Sequence, residues 1–252
     1  MFYYCLTDIG KKREINEDYL FASDSAVGPL PDIYIVADGM GGANAGEYAS
    51  EHTVRGVLDQ ISTVSALPGG DPVAGVAGVL QDAIVATNRQ INLIADTDPD
   101  KSGMGTTLVV AVIYEDHLII ANVGDSRCYA LAGEDLKQLT IDHSYVEEMV
   151  RRGEMTPEMA RVSKYKNRIT RAIGAEPEVQ VDFFDVKLDG ISRILLCTDG
   201  LTNMLTDDQI EEILADGTSV KRQTERLLSD ALSAGGIDNI TIMNIDPRGG
   251  LL

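Results

Sequence analysis

Four aspartates stand where apolar segments of this chain begin or end, and they are its first sign of chemistry. Asp38 ends the run "IVAD", Asp199 follows "RILLCT", Asp125 follows "LIIANVG", and Asp238 directly precedes "NITIMNI". In an antiparallel sandwich, some strand ends and some strand starts share one rim, so these carboxylates can converge there. A single Asp-Gly is most often an ordinary turn. The recurrence at four strand ends is what favours a shared site.

Carboxylates that gather on one rim raise one another's pKa, and a divalent cation relieves that repulsion. The three histidines, His52, His117 and His143, are scattered along the chain, so oxygen ligands dominate. Oxygen ligands alone favour a hard ion, Mg²⁺ or Mn²⁺, over zinc. Gly39 follows Asp38 and has no Cβ, so its carbonyl oxygen can turn inward as a further ligand.

The loop "TDIGKKREINED" supplies a cation for a phosphate group. Arg13 offers a planar guanidinium fork that matches phosphate oxygens. The alternative interpretation is a solvated ion pair between Arg13 and Glu14 or Glu17. Asp18 begins the next strand and can hold water beside a metal ion.

The overall charge argues against certain classes of binding partner. Twenty-one Lys and Arg stand against 40 Asp and Glu among 252 residues, a formal net charge of −19. An acidic body repels nucleic acid and anionic lipid, so neither is expected as a partner, although solubility alone also explains the charge.

No apolar run approaches the ~20 residues that span a bilayer, and "MFYYCLTDIG" lacks a signal-peptide pattern. The unpaired Cys5, Cys128 and Cys197 indicate buried thiols in a reducing compartment, and a cytoplasmic location is expected.

The elements that must position these residues alternate between strands and helices. The pattern predicts strands at Tyr3–Thr7, Asp18–Ala22, Ile33–Ala37, Thr106–Tyr114, His117–Val123, Val179–Val186, Arg193–Cys197 and Ile240–Ile245, with a hairpin around Gly133. It predicts two long amphipathic helices between the third and fourth strands, the second capped by Asp71 ahead of Pro72, and helices at Asp207–Leu214 and Val220–Leu232.

Short turns between apolar strands predict an α+β fold, a four-layer α/β/β/α sandwich with two central antiparallel sheets flanked by helices. No linker divides the chain, so we expect one domain over residues 1–252. The polar segment Ser144–Asn167, with short helices around a Gly and a Pro, is expected to be a surface insertion.

The motifs together resemble the metal-dependent Ser/Thr protein phosphatases of the type 2C (PPM) family, in its compact bacterial branch. The segments that carry the resemblance follow the family's order and cover nearly the whole chain: "TDIGKKREINED" (Thr7–Asp18), "VADGMGG" (Val36–Gly42), "GMGTTL" (Gly103–Leu108), "NVGDSRCY" (Asn122–Tyr129), "LTIDHS" (Leu139–Ser144), "KNRITRAIG" (Lys166–Gly174), "CTDGLTNML" (Cys197–Leu205) and "DNIT" (Asp238–Thr241).

The resemblance implies that the protein hydrolyses phosphoserine and phosphothreonine on proteins, using a hydroxide that bridges two Mn²⁺ or Mg²⁺ ions. It assigns Asp38 to both ions, the Gly39 carbonyl to one of them, and Asp199 and Asp238 to the other. Asp125 matches a position that, with Asp199, holds a third and weaker ion.

The same resemblance assigns the phosphate group to Arg13 and a water-mediated role to Asp18, and it identifies Ser144–Asn167 as the variable flap beside the site. It implies a monomer whose partners are phosphorylated proteins, namely a bacterial Ser/Thr kinase and the substrates of that kinase.

The sequence departs from the family pattern at two points, and it leaves two alternative functions open. Met40 stands where some members carry a histidine proposed as general acid, and the flap ends in "VSKYKNR" where bacterial relatives more often show a His-Pro pair. The alternatives are a catalytically silent phosphatase-like binding module and a small-molecule phosphomonoesterase.

Overall fold

The computed structural model describes residues 3–42 and 45–249, which form eleven strands and seven α-helices in four layers. The strands are β1 (Tyr3–Asp8), β2 (Asp18–Ser23), β3 (Asp32–Met40), β4 (Gly105–Thr106), β5 (Leu108–Tyr114), β6 (His117–Val123), β7 (Arg127–Ala132), β8 (Asp135–Gln138), β9 (Asp182–Lys187), β10 (Ile191–Cys197) and β11 (Ile240–Ile245). The helices are α1 (Ala45–Ser62), α2 (Pro72–Thr97), α3 (Tyr145–Arg151), α4 (Pro157–Arg161), α5 (Asp199–Thr202), α6 (Asp207–Leu214) and α7 (Val220–Ser233).

Two antiparallel sheets form the centre of the molecule. The first sheet has the strand order β1-β11-β10-β7-β8, and the second has the order β2-β3-β5-β6-β9, with β4 added at the end of β3. Helices α1 and α2 cover the outer face of the second sheet, and α5, α6 and α7 cover the outer face of the first. The predicted α/β/β/α sandwich is therefore confirmed.

The apolar strands are buried on both faces, and β3 shows how. Ile33 and Ile35 pack toward α1 and α2, whereas Tyr34 and Val36 pack into the core between the sheets. Successive side chains of a strand point to opposite faces. Asp38 therefore follows Tyr34 and Val36 onto the face between the sheets.

Strand β2 brings a second carboxylate to the same place. Leu20 and Ala22 pack into the core between the sheets, so Asp18 points to that face as well. Asp18 and Asp38 are direct cross-strand partners in the register of β2 and β3.

Strand β3 continues past Asp38 to Met40, so the prediction that it ends at Ala37 was wrong. The extension exists because Gly39 and Met40 pair with Thr106 and Gly105 of β4. Thr107 interrupts the predicted strand Thr106–Tyr114, because its Oγ1 accepts a hydrogen bond from the Asp38 amide and its own amide donates to the Asp38 carbonyl.

Most of the remaining elements agree with prediction. Helix α2 begins at Pro72, and Asp71 accepts a hydrogen bond from the Val73 amide as its N-cap. The strand predicted from Val179 starts only at Asp182, where pairing with β6 begins.

The segment predicted as an insertion, Ser144–Asn167, contains α3 and α4 and is closed at its base by a bridge between Ser144 and Ile169. We call Ser144–Asn167 the flap. Residues 1–2, 43–44 and 250–252 of the predicted single domain lie outside the described residues. Within the described part of the chain, no helix is long and apolar enough to cross a membrane.

Candidate active site

The core between the sheets ends at one rim in a layer of polar side chains. Asp18 is 7 % exposed, and its Oδ2 accepts hydrogen bonds from Thr198 Oγ1 at 2.9 Å and Thr241 Oγ1 at 2.7 Å. Thr241 belongs to the first sheet and Thr198 directly follows β10, whereas Asp18 belongs to the second sheet. The carboxylate of Asp18 therefore connects the two sheets at this rim.

Asp38 is held at the same rim by its backbone. Its amide donates to Thr107 Oγ1 at 2.9 Å, and its carbonyl accepts from the Thr107 amide and from Thr106 Oγ1, each at 2.9 Å. Gly39 follows and is close to helix α1, because a Cβ built on it would lie only 2.0 Å from the Gly46 carbonyl oxygen. The side chain of Asp38 is free to face the space between the sheets.

The predicted aspartates lie close enough to perturb one another. Burial raises the pKa of Asp38 well above its usual range, and four neighbouring charges raise it further: those of Asp18, Asp199, Asp125 and Asp238. We call these five residues the acidic cluster.

Asp18, Asp199 and Asp125 show the same effect. Burial raises the pKa of Asp18 to about 7, although the hydrogen bonds from Thr241 and Thr198 act in the opposite direction. Burial and then the charge of Asp238 raise the pKa of Asp199 to about 6. For Asp125 the pKa is raised well above its usual value, first by burial and then by Asp199.

Asp199 does not simply end a strand but opens the short helix α5. Its Oδ2 accepts a hydrogen bond from Asn203 Nδ2 at 2.8 Å, one turn later in the chain. Asn203 Oδ1 in turn accepts from Lys166 Nζ of the flap at 2.9 Å. The flap is therefore connected to Asp199 by two successive hydrogen bonds.

Asp125 lies in the tight connection between β6 and β7. Its neighbour Gly124 has φ +108°, and a Cβ there would lie 2.6 Å from Thr107 Cγ2, so this position requires glycine. On the other side, Ser126 Oγ is hydrogen-bonded to Thr107 Oγ1 at 2.7 Å. Thr107 thus contacts both neighbours of Asp125 and also the backbone of Asp38.

Arg13 reaches the acidic cluster from the loop between β1 and β2. Its Nε and Nη2 lie 2.9 and 3.0 Å from the two carboxylate oxygens of Asp238, and its Nη1 lies 3.2 Å from Glu17 Oε2. Arg13 therefore combines both interpretations of the sequence, because it stands at the site and is also paired with Glu17. The hydrogen bond to Asp238 is the main reason that its pKa is raised.

The chain also matches known proteins along most of its length. The family model described as protein phosphatase 2C matches residues 10–234. The chain belongs to the protein phosphatase 2C family.

Relatives within this family are similar over nearly the whole chain. "Serine/threonine phosphatase stp" of Listeria welshimeri is 41 % identical over 243 residues, covering 95 % of this chain and 93 % of that protein. "Protein phosphatase PhpP" of Streptococcus pneumoniae is 39 % identical over 242 residues, covering 94 % of each. The crystal structure of serine/threonine phosphatase Stp1 from Staphylococcus aureus has a TM-score of 0.90 at 30 % identity, with 98 % of this chain and 95 % of that chain covered.

Protein phosphatases of this family depend on metal ions, and the acidic cluster is the candidate metal site. Its donors are all oxygens, and Asp18 Oδ1 is buried with no hydrogen-bond partner among the described residues. A hard divalent cation fits this chemistry. Within residues 3–42 and 45–249, however, no group of three or more His, Cys, Asp and Glu side chains is arranged to hold an ion. Both oxygens of Asp238 are paired with Arg13 instead.

A cavity of about 490 Å³ opens beside the acidic cluster, between its members Asp125 and Asp199 and the flap. Glu147 and Arg161 of the flap line it, together with Arg127 from the strand that follows Asp125. The flap therefore forms one wall of the space next to the site.

The sequence interpretation missed the groups that hold the carboxylates. Thr198, Thr241 and Asn203 each bond to a member of the acidic cluster, and all three lie within the quoted motifs "CTDGLTNML" and "DNIT". Asn203 lies four residues after Asp199, and residues at this spacing contact each other on a helix. Their hydrogen bond could have been predicted only together with a helix at this position.

Proposed function

We propose that the acidic cluster is the catalytic centre at which this chain hydrolyses phosphoserine and phosphothreonine on proteins. The chain is a protein-serine/threonine phosphatase. The observation that carries the location is the convergence of five aspartates, distant in sequence, at the rim where the core between the sheets ends.

The assignment of individual residues follows from their positions. Asp38 would be shared by two Mn²⁺ or Mg²⁺ ions, with the Gly39 carbonyl on one ion and Asp199 and Asp238 on the other. Asp125 would hold a third, weaker ion with Asp199. When bound, the ions supply an activated water and offset negative charge at phosphorus. Asp18 would act one step further out, through water.

Arg13 would bind the phosphate group. Its fork is now shared between Asp238 and Glu17, so it can turn toward phosphate oxygens only by giving up part of this pairing. Two parallel N–H···O bonds would fix the orientation of the phosphoester before reaction. Met40 has no proton to donate, so the leaving oxygen must be protonated by another group.

Turnover of p-nitrophenyl phosphate and of a phosphothreonine peptide with Mn²⁺ tests this centre. Asp38→Asn and Asp199→Asn should each lower kcat by at least ~10²-fold, because each removes a charge that the metal site needs. Arg13→Ala should instead raise KM without weakening Mn²⁺ binding, followed by calorimetry, because it frees the two Asp238 oxygens that Arg13 now occupies. Asp59→Asn on the exposed face of α1 is the matched control and should behave as the parent protein.

The outcomes separate the three functions. Full activity in Asp38→Asn and Asp199→Asn would remove the acidic cluster as the catalytic centre. Binding of Mn²⁺ and phosphopeptide without turnover would indicate the silent binding module. A much higher kcat/KM for small metabolite phosphoesters than for phosphopeptides would indicate the small-molecule phosphomonoesterase.

We further propose that the chain acts as a monomer in the cytoplasm and opposes a bacterial Ser/Thr kinase. The match to bacterial phosphatases along nearly the whole chain supports a bacterial phosphoprotein as the substrate. Release of phosphate from an autophosphorylated bacterial kinase domain, with Asp38→Asn as the blank, tests it. An equal rate on an unrelated phosphoprotein would argue against a dedicated kinase partner.

A further inference from the structure

His143 is a buried residue beside the acidic cluster that the proposed reaction does not use. It is 7 % exposed and stands directly before the flap. Its backbone amide donates to the Gly124 carbonyl at 2.9 Å, and its ring Nδ1 accepts from the Gly124 amide at 3.0 Å. His143 therefore binds both backbone groups of the residue that precedes Asp125.

The contact with Gly124 determines which ring nitrogen carries the proton. Nδ1 accepts, so the proton of the neutral ring is on Nε2. Nε2 then donates to Asp182 Oδ2 at 3.1 Å. Arg171 Nη1 lies 2.8 Å from Nε2 and 2.7 Å from Asp182 Oδ1. Because Arg171 Nη1 and His143 Nε2 both carry protons, neither can accept from the other. Arg171 is therefore held by Asp182 and not by the imidazole ring.

Asp182 thus favours the tautomer that leaves Nδ1 free to accept from Gly124. This arrangement, a histidine whose far nitrogen is fixed by a carboxylate, is how proteins commonly orient an imidazole. Here the near nitrogen holds a backbone amide.

The opposite side of the Asp125 loop is closed. A Cβ on Gly124 would collide with Thr107, which also bonds to Ser126. The loop therefore lies between Thr107 on one side and His143 on the other. Loss of the His143 contact leaves the Gly124 amide without its partner and removes the constraint on that side.

His143 also belongs to the stem of the flap. Its carbonyl accepts from the Thr170 amide at 2.8 Å, and the next residue, Ser144, caps α3 by accepting from the Glu147 amide. The two chain segments that carry the flap are joined again by the Tyr145 amide, which donates to Arg168. A single residue thus connects the flap stem to the loop of Asp125.

We propose that His143 is a positioning residue, which holds the Gly124–Asp125 loop through Nδ1 and so sets the carboxylate of Asp125 in the metal site from the base of the flap. This rests on the proposed role of Asp125 as a metal ligand.

Two substitutions separate the functions of the two ring nitrogens. Asparagine places an amide oxygen near the position of Nδ1, whereas the longer glutamine places its amide near Nε2. Both remove the ring, so both lose similar packing. The metal-free protein is titrated with Mn²⁺ by calorimetry, and Asp125→Ala defines the part of the binding that needs Asp125.

We expect His143→Gln to weaken the Asp125-dependent Mn²⁺ binding by about tenfold, as loss of an outer support of a metal ligand commonly does. His143→Asn keeps an acceptor for Gly124 and should bind within about threefold of the parent protein. In the Asp125→Ala background the two variants should bind Mn²⁺ equally.

His117 provides the matched control. It lies at the other end of β6, where its Nδ1 is 2.6 Å from Asp185 Oδ1 of β9. His117→Gln removes a comparable histidine–carboxylate contact from the same sheet and should leave the Mn²⁺ titration unchanged.

Equal Mn²⁺ binding by His143→Gln and His143→Asn, together with weaker binding by Asp125→Ala, would overturn the positioning role and leave the proposed catalytic centre intact. Unchanged binding by Asp125→Ala would instead remove Asp125 from the metal site, and the role of His143 with it.

If His143→Gln does not fold, the ring nitrogens of the unaltered protein decide by NMR. An unprotonated Nδ1 that shows coupling across the Gly124 hydrogen bond supports the proposal, and a proton on Nδ1 overturns it.

Discussion

Asp18 has an unusual environment for a carboxylate, since it is buried and accepts two threonine hydrogen bonds with one oxygen, whereas its other oxygen has no partner within residues 3–42 and 45–249. Its pKa is raised to about 7, against about 3.9 in an unfolded chain. The folded state therefore binds the proton more tightly than the unfolded state does. By linkage, this residue lowers the free energy of unfolding as pH rises from about 4 to 7, and the loss is complete above 7.

The substitution Asp18→Asn should remove this pH-dependent loss from the metal-free protein. We expect the gain of the variant in free energy of unfolding, relative to the parent protein, to grow from about 1–2 kcal/mol at pH 5 to about 4 kcal/mol at pH 8. Urea unfolding in the presence of a chelator measures the difference at each pH. Asp59→Asn should show no such trend, and a difference for Asp18→Asn that stays constant with pH would contradict the assignment.

At the scale of elements, β3 approaches α1 very closely beside the site. A Cβ on Gly39 would lie 2.0 Å from the Gly46 carbonyl oxygen and 2.6 Å from the Glu17 carbonyl oxygen. Both atoms belong to the backbone and cannot move aside without displacing β2 or the start of α1.

Gly39→Ala should therefore lower the free energy of unfolding by about 3 kcal/mol or more, measured by urea unfolding. Gly78 in α2 is the contrasting case, because a Cβ there meets nothing within 4 Å. Gly78→Ala should raise stability by about 0.5–1 kcal/mol through helix propensity. A Gly39→Ala protein as stable as the parent would show that α1 can shift from β3 at little cost.

Elements with a strong local pattern were predictable from the sequence. Strand His117–Val123 and helix Asp207–Leu214 have the predicted bounds, because a short apolar run after a turn, capping and apolar periodicity are local signals. The continuation of β3 to Met40 was not predictable, since it depends on pairing with Gly105 and Thr106, more than sixty residues later.

The candidate site divides in the same way. The carboxylates could be named from the sequence because each stands beside a glycine or a strand boundary. Their supports, such as Thr198 and Thr241 on Asp18, could not, because a hydroxyl on or beside a β-strand gives no local sign of what it bonds across two sheets. The ion pair of Arg13 with Asp238 spans 225 residues and is likewise a property of the fold.

At the scale of the whole molecule, the formal charge of −19 acts on every approaching substrate. Such a field attracts cationic phosphopeptides and repels anionic ones, and salt screens it over about 10 Å at 0.1 M. The expected preference for cationic over anionic phosphopeptides therefore comes from the net charge and not from one contact.

We expect kcat/KM for a phosphothreonine peptide flanked by lysines to exceed that for the same peptide flanked by glutamates by about tenfold in 20 mM salt. The ratio should fall toward one at ~0.5 M salt. Turnover of p-nitrophenyl phosphate across the same series corrects for direct effects of salt on the site. A ratio that does not change with salt would place the preference in a specific contact near the flap.

The alternation along β3 has a consequence for how this protein can change over evolutionary time. From Ile33 to Ala37 its odd-numbered residues pack against the helices, whereas Tyr34 and Val36 face the opposite sheet, and Asp38 continues this second set. Adding or deleting one residue inside the strand would exchange the two sets and turn Asp38 toward α1. Within β3, only insertions or deletions of an even number of residues keep Asp38 on the face between the sheets. Other changes in length are confined to the loops around the strand, so relatives that keep this aspartate should keep the same alternation.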